Sequence, residues 1–254
     1  MLTKNRIKLI KSLAFAKYRN SSGLFVAEGP KLVEELMQAY RCEILCATES
    51  WISRNKNLAA KADELATIDE QELRHISFLQ TPQEVLGVYR QPADSDSSVT
   101  EILGTQLCLA LDGVQNPGNV GTILRIADWF GIDHIVCSTD TADVYSPKVV
   151  QASMGAIARI KVVYRDLPAF LGTLPPETPV YGTFLNGDNI QQAHLNQHGL
   201  IIMGNEGNGI RPDVEKYVTK RLFIPSYPYG RATSESLNVA IATAITCEEF
   251  RRRI

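Results

Sequence analysis

Long apolar runs are missing from this sequence of 254 residues. No stretch approaches the roughly 18 to 20 apolar residues that a membrane-spanning helix needs. The apolar stretch at 13–15 is too short, and too closely surrounded by lysines, to form the core of an export signal. We therefore expect a cytoplasmic protein without a membrane partner.

Cysteine is scarce, odd in number and mostly placed inside apolar segments, with five residues in all. This pattern favours buried free thiols in a reducing compartment over a disulfide framework.

Pairs of residues spaced to bind a metal ion are equally scarce. Cys42 and Cys46 have no matching second pair, and His194 and His198 have no acidic or thiol ligand nearby. We expect no metal site.

Biased compositions are absent as well. Hydrophobic residues make up 44% of the chain and charged residues 21%, which excludes a disordered, collagen-like or coiled-coil protein. A chain of this length forms one large domain or two modest ones. Enzymes and folded binding modules therefore both stay open.

An overall excess of positive charge is also lacking, because 26 basic residues face 28 acidic ones. On average this balance argues against a polyanionic partner. The exception is segment 1–20, which contains basic residues and no acid. Its basic residues are Lys4, Arg6, Lys8, Lys11, Lys17 and Arg19. Such a segment is typical either of a solvated helix face or of a surface that binds a polyanion.

The stretch 91–100, QPADSDSSVT, lacks apolar periodicity and predicts a connection between domains. We expect an N-terminal domain at 1–92, a linker at 93–104 and a C-terminal domain at 105–254. The first domain mixes short helix and strand patterns, typical of a small α/β unit. In the second, apolar strands alternate with helices, which predicts a mostly parallel sheet with helices on both faces. Such sheets bind ligands in the loops at the C-terminal ends of their strands.

The first unusual loop lies in DGVQNPGNVGTILR, residues 112–125. Its glycines allow a tight turn that can approach a partner, and Arg125 follows one turn into the next helix. A purely structural interpretation also stands, in which Asn119 caps this helix and Arg125 pairs with Asp128.

The second unusual loop is GNEGNG, residues 204–209, again between a strand and a helix. It has neither the G-x-G-x-x-G order nor a following Gly-Lys-Ser/Thr, so both common nucleotide fingerprints fail. Glu206 would repel a phosphate. The loop favours a neutral or cationic ligand, such as an adenine edge or a sulfonium cofactor.

The third unusual loop is IPSYPYGRATSESLN, residues 224–238, which leads into a long helix predicted from Ser234 onwards. In a structural interpretation Ser234 or Ser236 caps that helix, and Glu235 favours its positive end. Asn238 then lies inside the first turns, where asparagine is unfavourable and needs another role.

Together these loops resemble the three motifs of the SpoU, or TrmH-like, branch of the SPOUT methyltransferases. The motifs occur in the family's order and at the expected strand, loop and helix positions. They are NPGNVGTILR (116–125), IMGNEGNGI (202–210), and IP (224–225) followed by SLNVAIATAI (236–245). The resemblance covers about 107–254, and FVAEGPKLVEEL (25–36) resembles the ribosomal-protein-like RNA-binding domain that often precedes this catalytic domain.

The resemblance implies a ribose 2′-O-methyltransferase that uses S-adenosyl-L-methionine and acts on RNA, with ribosomal RNA favoured over transfer RNA. It also implies a homodimer and a deep trefoil knot in the C-terminal domain, a topology that is rare among proteins. Carried over residue by residue, the cofactor-binding set is Gly204, Ile224, Pro225, Leu237 and Asn238. The polar catalytic set is Asn119, Arg125, Glu206, Ser236 and Asn238. The basic segment 1–20 is then expected to contact RNA phosphate.

A ribose 2′-hydroxyl is a poor nucleophile, so methyl transfer needs help with its proton and alignment with the methyl group. We expect Arg125 to be essential. Two roles stay open for it: electrostatic stabilisation of the developing alkoxide, which we favour, or proton removal by a desolvated, deprotonated guanidine. Asn119 and Asn238 would orient Arg125 and the loops, Ser236 would position substrate or cofactor, and Glu206 would hold the second loop.

The ten residues 226–235 make this loop longer than the family pattern leads us to expect. Tyr227, Tyr229 and Arg231 would suit an RNA-contacting lip, because aromatic rings and arginine stack on unpaired bases. A plain surface insertion is the alternative.

Two other functions stay open for the protein as a whole: a non-catalytic RNA-binding or assembly protein of the same fold, and a nucleotide-dependent oxidoreductase, which the missing fingerprints disfavour.

Overall fold

The computed structural model describes residues 2–92, 99–228, 231 and 234–252. Its α-helices are α1 Lys4–Ser12, α2 Ala16–Ser22, α3 Pro30–Ala39, α4 Glu49–Arg54, α5 Lys56–Ala59, α6 Glu70–Ile76, α7 Val99–Ile102, α8 Pro117–Trp129, α9 Pro147–Ser153, α10 Leu167–Leu171, α11 Pro212–Glu215 and α12 Val239–Arg251. Its strands are β1 Leu24–Glu28, β2 Cys42–Ala47, β3 Glu64–Thr67, β4 Val85–Arg90, β5 Leu107–Asp112, β6 His134–Ser138, β7 Lys161–Arg165, β8 Val180–Phe184, β9 Asp188–Asn189, β10 Gly199–Gly204 and β11 Lys220–Phe223. A short 3₁₀ helix covers Ala156–Ala158.

The first of two compact units contains Met1–Ser95 together with Asp143–Arg159. Its sheet has the order β1-β4-β2-β3, in which β4 pairs antiparallel with both neighbours and β2 pairs parallel with β3. Every residue of β1 is buried, so this strand lies within the core. Helix α3 packs against β1 and β4 and buries the apolar residues of one face.

The segment Asp143–Arg159 packs in this first unit although the sequence predicted all of 105–254 to form one domain. The Tyr40 hydroxyl donates a 2.7 Å hydrogen bond to the carbonyl of Ile157. The rings of Phe25 and Tyr145 lie 5.0 Å apart, centroid to centroid. The linker prediction at 93–104 falls partly outside the described residues and stays a prediction.

The basic segment is only partly available to a ligand, which corrects one expectation. Arg19 is 3% exposed and donates to the carboxylate of Asp143 at 2.8 Å through Nε. Arg6 forms an ion pair with Glu64. The side chains of Lys4, Lys8, Lys11 and Lys17 are exposed.

The second unit contains Asp96–Ala142 and Ile160–Ile254. Its sheet has the order β7-β6-β5-β10-β8-β11-β9, and each strand pairing found among the described residues is parallel. The predicted parallel α/β sheet is therefore confirmed. Cys108 and Ala110 of β5 face a cluster that includes α10 and α11 residues, while α8 and α12 pack together and α12 also contacts β10.

The limits of two helices follow from their local backbone. Helix α9 ends at Ser153, because Met154 and Gly155 adopt positive φ angles of 50° and 95°. The C-terminal helix begins at Val239 and not near Ser234. The expected buried free thiols are confirmed for all five cysteines, and burial raises the pKa of Cys247 to about 12. Across the described ranges, no helix has the length and apolarity to span a membrane.

Candidate active site

Three loops follow the C-terminal ends of parallel strands in the second unit. β5 ends at Asp112 and β10 ends at Gly204, and these two residues are partners in the parallel register. β11 ends at Phe223 and runs parallel to β8, the other neighbour of β10. The carboxyl ends of parallel strands lie at one edge of a sheet, where open α/β sheets bind their ligands.

The first loop is closed by Asn116, not by Asn119 as the structural interpretation supposed. The Asn116 side chain accepts hydrogen bonds from the backbone N–H groups of Gly118 and Asn119, at 2.8 and 3.2 Å. Pro117 occupies the first turn of α8, where its missing N–H has no consequence. Because Asn116 caps the helix, the Asn119 side chain is available for another contact.

The second loop turns back tightly on itself. The backbone groups of Asn205 and Gly209 exchange two hydrogen bonds of 2.9 Å, and the Asn205 side chain accepts from the N–H groups of Gly207 and Asn208. A Cβ atom on Gly204 would lie 2.3 Å from the carbonyl carbon of Gly209, so a side chain there would prevent this closure. The closed turn leaves Glu206 exposed.

The third loop ends at Asn238, which is the N-cap of α12. Its side-chain oxygen accepts from the N–H groups of Ala240 and Ile241, at 3.0 and 3.3 Å. The predicted caps Ser234 and Ser236 were therefore wrong, and Asn238 is not an interior helix residue. Asparagine is among the best N-cap residues, which explains its place without an unfavourable helical conformation.

Two hydrogen bonds link the three loops. Asn238 Nδ2 donates to Asn119 Oδ1 at 3.0 Å, and Asn119 Nδ2 donates to Glu206 Oε1 at 2.7 Å. Each asparagine therefore uses both its amide nitrogen and its amide oxygen. We call these three residues the amide relay. The structure thus brings together three of the five residues of the predicted catalytic set.

Arg125 and Ser236 are not joined to the amide relay. Both side chains are exposed, and within the part of the chain that the structure describes neither one has a hydrogen bond or an ion pair. The pairing of Arg125 with Asp128 is consequently not formed. Arg125 lies on α8 six residues after Asn119, with its charge accessible to solvent.

The predicted cofactor residues are partly exposed. Ile224 and Pro225 follow β11 directly and are half-buried, as is Gly204. Leu237 precedes the cap residue Asn238 and exposes 48% of its surface. In the long loop, Tyr227 and Arg231 are exposed, whereas Tyr229 lies outside the described residues.

An ion pair next to the second loop joins a buried aspartate to a partly exposed arginine, and no sequence pattern predicted it. Asp112 is 0% exposed, and its carboxylate accepts from the backbone N–H and from Nε of Arg211 at 2.8 and 2.7 Å. The hydrogen bond to Asp112 is the main reason why the pKa of Arg211 is raised. A hydrogen bond with Ser138, supported by the charge of Arg211, lowers the pKa of Asp140.

This ion pair connects with the loop backbone. Asn205 Nδ2 donates to the carbonyl of Gly113 at 2.7 Å, and the N–H of Gly113 donates to the Ser138 hydroxyl at 2.8 Å. A signal existed in the sequence, because an acid at the end of an otherwise apolar strand needs a partner when it is buried. The partner itself, Arg211, was not predictable from spacing.

Comparison of the chain with known protein families agrees with this arrangement of the motif loops. Residues 106–248 match the SpoU rRNA Methylase family, and residues 4–87 match the MRM3-like substrate binding domain. The chain belongs to the SpoU rRNA methylase family. The predicted family is therefore confirmed, and the oxidoreductase alternative is not favoured.

Relatives resemble this SpoU-family chain over its whole length. It is 32% identical over 250 residues to the 23S rRNA (guanosine(2553)-2′-O)-methyltransferase RlmP of Bacillus subtilis, covering 97% of this chain and 96% of the relative. A TrmH-family protein from Porphyromonas gingivalis is 43% identical with a TM-score of 0.90, covering 100% of both chains. The AdoMet-bound rRNA methyltransferase from Sinorhizobium meliloti is 27% identical with a TM-score of 0.85, covering 100% of this chain and 97% of that one.

Proposed function

We propose that this SpoU-family protein methylates a ribose 2′-hydroxyl of ribosomal RNA with S-adenosyl-L-methionine as the methyl donor. The observation that carries the proposal is the amide relay, which links Asn119, Glu206 and Asn238 from the three motif loops at one sheet edge. The Bacillus subtilis relative, which carries an rRNA 2′-O-methyltransferase name, and the AdoMet-bound Sinorhizobium meliloti structure support the same reaction.

The residues at the site fit S-adenosyl-L-methionine. Leu237, Ile224 and Pro225 offer apolar surface for the uncharged parts of the cofactor, and the exposed carboxylate of Glu206 favours a sulfonium over a phosphate. Gly204, which has no side chain, allows the second loop to close tightly at the strand end and so to present Glu206. When bound, the cofactor supplies an electrophilic methyl group.

Arg125 acts in this proposal as an electrostatic stabiliser of the developing alkoxide. Its side chain is exposed, and it has no carboxylate partner in the described residues, so nothing there neutralises its charge. A solvated guanidinium keeps its proton and is a poor base. The charge is therefore free to meet a substrate phosphate and the oxygen that loses its proton.

The test compares Arg125→Ala with the matched surface control Arg252→Gln. We expect Arg125→Ala to lose methyl transfer from labelled S-adenosyl-L-methionine to ribosomal RNA by about 100-fold or more, because a preorganised charge at a transition state contributes on that scale. Cofactor affinity, measured by isothermal titration, should stay within about three-fold of wild type, since Arg125 is not among the residues proposed to bind the cofactor.

Near-wild-type turnover of Arg125→Ala would contradict the role of this residue. Failure of the wild-type protein to bind the cofactor at all would contradict the reaction and favour a non-catalytic RNA-binding protein. The choice of ribosomal over transfer RNA is tested by mapping 2′-O-methyl sites in cells with and without the gene. Loss of a ribosomal site is expected, and loss of a transfer RNA site would overturn the choice.

We further propose a homodimer that uses the surface of α8 and α12. Trp129 on α8 is 85% exposed and Ile241 on α12 is 53% exposed, which is unusual for such large apolar side chains on two helices that pack together. We expect Trp129→Glu to convert the dimer to a monomer, because it places a charge on this apolar surface. Sedimentation equilibrium of the wild-type and variant proteins measures the oligomeric state. A wild-type monomer at micromolar concentration would contradict it.

The deep trefoil knot is also part of the proposal. It is supported by the position of β10 between β5 and β8 in the sheet, and by α12, which packs against both α8 and β10. An experimental structure in which the backbone of the C-terminal domain forms no knot would contradict this part of the proposal.

A further inference from the structure

The residue before α2 and the first turn of α2 present two aromatic rings to solvent. Phe15 is 63% exposed and Tyr18 is 47% exposed, and their ring centroids lie 6.4 Å apart in an edge-to-face arrangement. All five residues of 14–18 are exposed. Large apolar rings rarely stand out together on a surface unless they have a ligand or a partner.

The sequence on both sides of these rings is rich in lysine. Lys4, Lys8 and Lys11 are spaced by four and three residues, so they share one face of α1, and all three are exposed. Lys17 is exposed between the two rings in sequence. The segment 1–20 contains no acid that would neutralise them. Since Arg6 and Arg19 are engaged in ion pairs, the lysines are the available cations.

A buried arginine of α2 holds the chain between α1 and α2 in place. Arg19 Nη1 donates to the carbonyl groups of Leu13 and Ala14, at 2.8 and 2.9 Å, and its Nε donates to Asp143. The Ser22 hydroxyl donates to the carbonyl of Tyr18 at 2.6 Å. The backbone that carries both rings is therefore fixed before any ligand arrives, which lowers the entropy lost on binding.

We propose that Phe15 and Tyr18, together with Lys8, Lys11 and Lys17, bind unpaired nucleotides of the RNA substrate. We call this set the stacking surface. Unpaired bases stack on aromatic rings, and the neighbouring lysines attract the phosphates on either side. The proposal rests on the proposed function, because it assumes that RNA is the substrate.

A second copy of the chain is a less suitable occupant than RNA. In a symmetric contact the stacking surface would face its own lysines, and like charges brought together in this way repel. A polyanion with exposed aromatic bases complements both the charge and the rings. Self-association through this surface is therefore treated as an outcome that would overturn the proposal.

The first experiment uses the full-length protein and a single-stranded oligoribonucleotide that carries 2-aminopurine, with a blunt duplex of the same sequence for comparison. The double variant Phe15→Leu/Tyr18→Leu should weaken single-strand binding by about five-fold or more for each ring removed. Phe15→Trp should keep wild-type affinity, because it retains a stacking face. The control Leu65→Ala removes an exposed apolar side chain of β3 and should change nothing. Duplex binding should be equal in all variants.

The second experiment isolates the charge. Lys8→Gln/Lys11→Gln should reduce the slope of log affinity against log salt concentration by about 0.7 for each phosphate that the variant no longer neutralises. The control Lys56→Gln/Lys61→Gln removes two exposed lysines from elsewhere in the first unit and should leave the slope unchanged.

Three results would overturn the stacking surface: equal affinities for the leucine double variant and Leu65→Ala, equal losses for single strand and duplex, or a change of oligomeric state without a change in RNA affinity. These outcomes differ from failure of the proposed function. If wild-type protein methylates RNA while the leucine variant binds normally, only the stacking surface is wrong. If wild-type protein neither binds nor methylates RNA, the proposed function itself fails.

Discussion

At the scale of single residues, Asn238 combines two contacts that different substitutions can separate. Its oxygen caps α12, and its nitrogen donates to Asn119. Aspartate is as good an N-cap as asparagine, but a carboxylate has no donor to offer Asn119. The structural role and the site role of this residue can therefore be measured independently.

We predict that Asn238→Asp keeps the stability of the protein but lowers kcat/KM for methyl transfer by about ten-fold, equivalent to the loss of one hydrogen bond. Asn238→Ala should also lose about 1 kcal/mol of unfolding free energy, because the cap is removed. Urea denaturation and initial rates provide the two measurements. Equal stability losses in both variants, or full activity in Asn238→Asp, would contradict the separation of the capping role from the role in the active site.

A second residue of interest is Glu28, the last residue of β1, which is only 5% exposed. Its carboxylate accepts hydrogen bonds from the Ser77 hydroxyl and from the N–H of Phe78. Burial raises the pKa of Glu28 more than these hydrogen bonds lower it. The folded state therefore favours the protonated form of this carboxyl relative to the unfolded chain.

Protonation of Glu28 therefore stabilises the folded protein at pH values below the unfolded pKa of about 4.3. This stabilisation is lost as the pH rises through the higher pKa of the folded state. We predict that the unfolding free energy of Glu28→Gln changes less with pH over this window than that of the wild-type protein. Unfolding free energies measured from pH 4 upwards, in steps, would show the difference. The exposed control Glu49→Gln should follow wild type, and a parallel pH profile for Glu28→Gln would show that another group titrates.

At the scale of elements, the second loop depends on the ion pair beneath it. Arg211 lies at the start of α11 and is 40% exposed, whereas Asp112 at the end of β5 is completely buried. Removing Arg211 would leave a buried carboxylate without its charged partner, which destabilises a protein strongly. Removing both charges together avoids that penalty.

We predict that Arg211→Met lowers the unfolding free energy by about 2 kcal/mol, reduced from the value for fully buried pairs because Arg211 is partly exposed. The double variant Asp112→Asn/Arg211→Met should recover more than half of this loss. A double-mutant cycle by urea denaturation measures the coupling. Additive losses would show that the two residues stabilise the protein independently.

The sequence predicted elements better than it predicted their limits. The parallel sheet followed from apolar strands that alternate with helices, since strands buried on both faces need that composition. The start of α12 did not follow, because Asn238 favours capping in one backbone conformation and disfavours the helix interior in another. Motif resemblance named Asn119, Glu206 and Asn238, which the structure joins, but it also named Arg125 and Ser236, whose roles stay predictions.

At the scale of the whole molecule, the first unit is not continuous in sequence. It includes Asp143–Arg159, a segment separated from the rest by α7, β5, α8 and β6. Spacing does not predict this, because the apolar residues Val149 and Val150 of α9 would suit any hydrophobic neighbour. Only interactions made in the folded chain, such as that of Arg19 with Asp143, assign the segment to this unit.

We predict that a fragment of residues 1–92 unfolds at least about 5 °C below the same fragment joined to 143–159 by a flexible linker. Without the segment, Arg19 loses its buried carboxylate partner and Phe25 loses its packing against Tyr145. Differential scanning calorimetry of both fragments measures the difference. A joined control with Asp143→Asn and Tyr145→Ala should resemble the short fragment, and equal melting temperatures for all three would contradict the prediction.

The amide relay also has a consequence for synthesis of the protein. Asn238 follows its partner Asn119 by 119 residues in the chain. Domains fold as units while translation proceeds from the N-terminus. Asn119 and Glu206 therefore leave the ribosome before their third partner, and the relay cannot form until Asn238 has been added. A nascent copy that lacks Asn238 thus holds an unfinished active site.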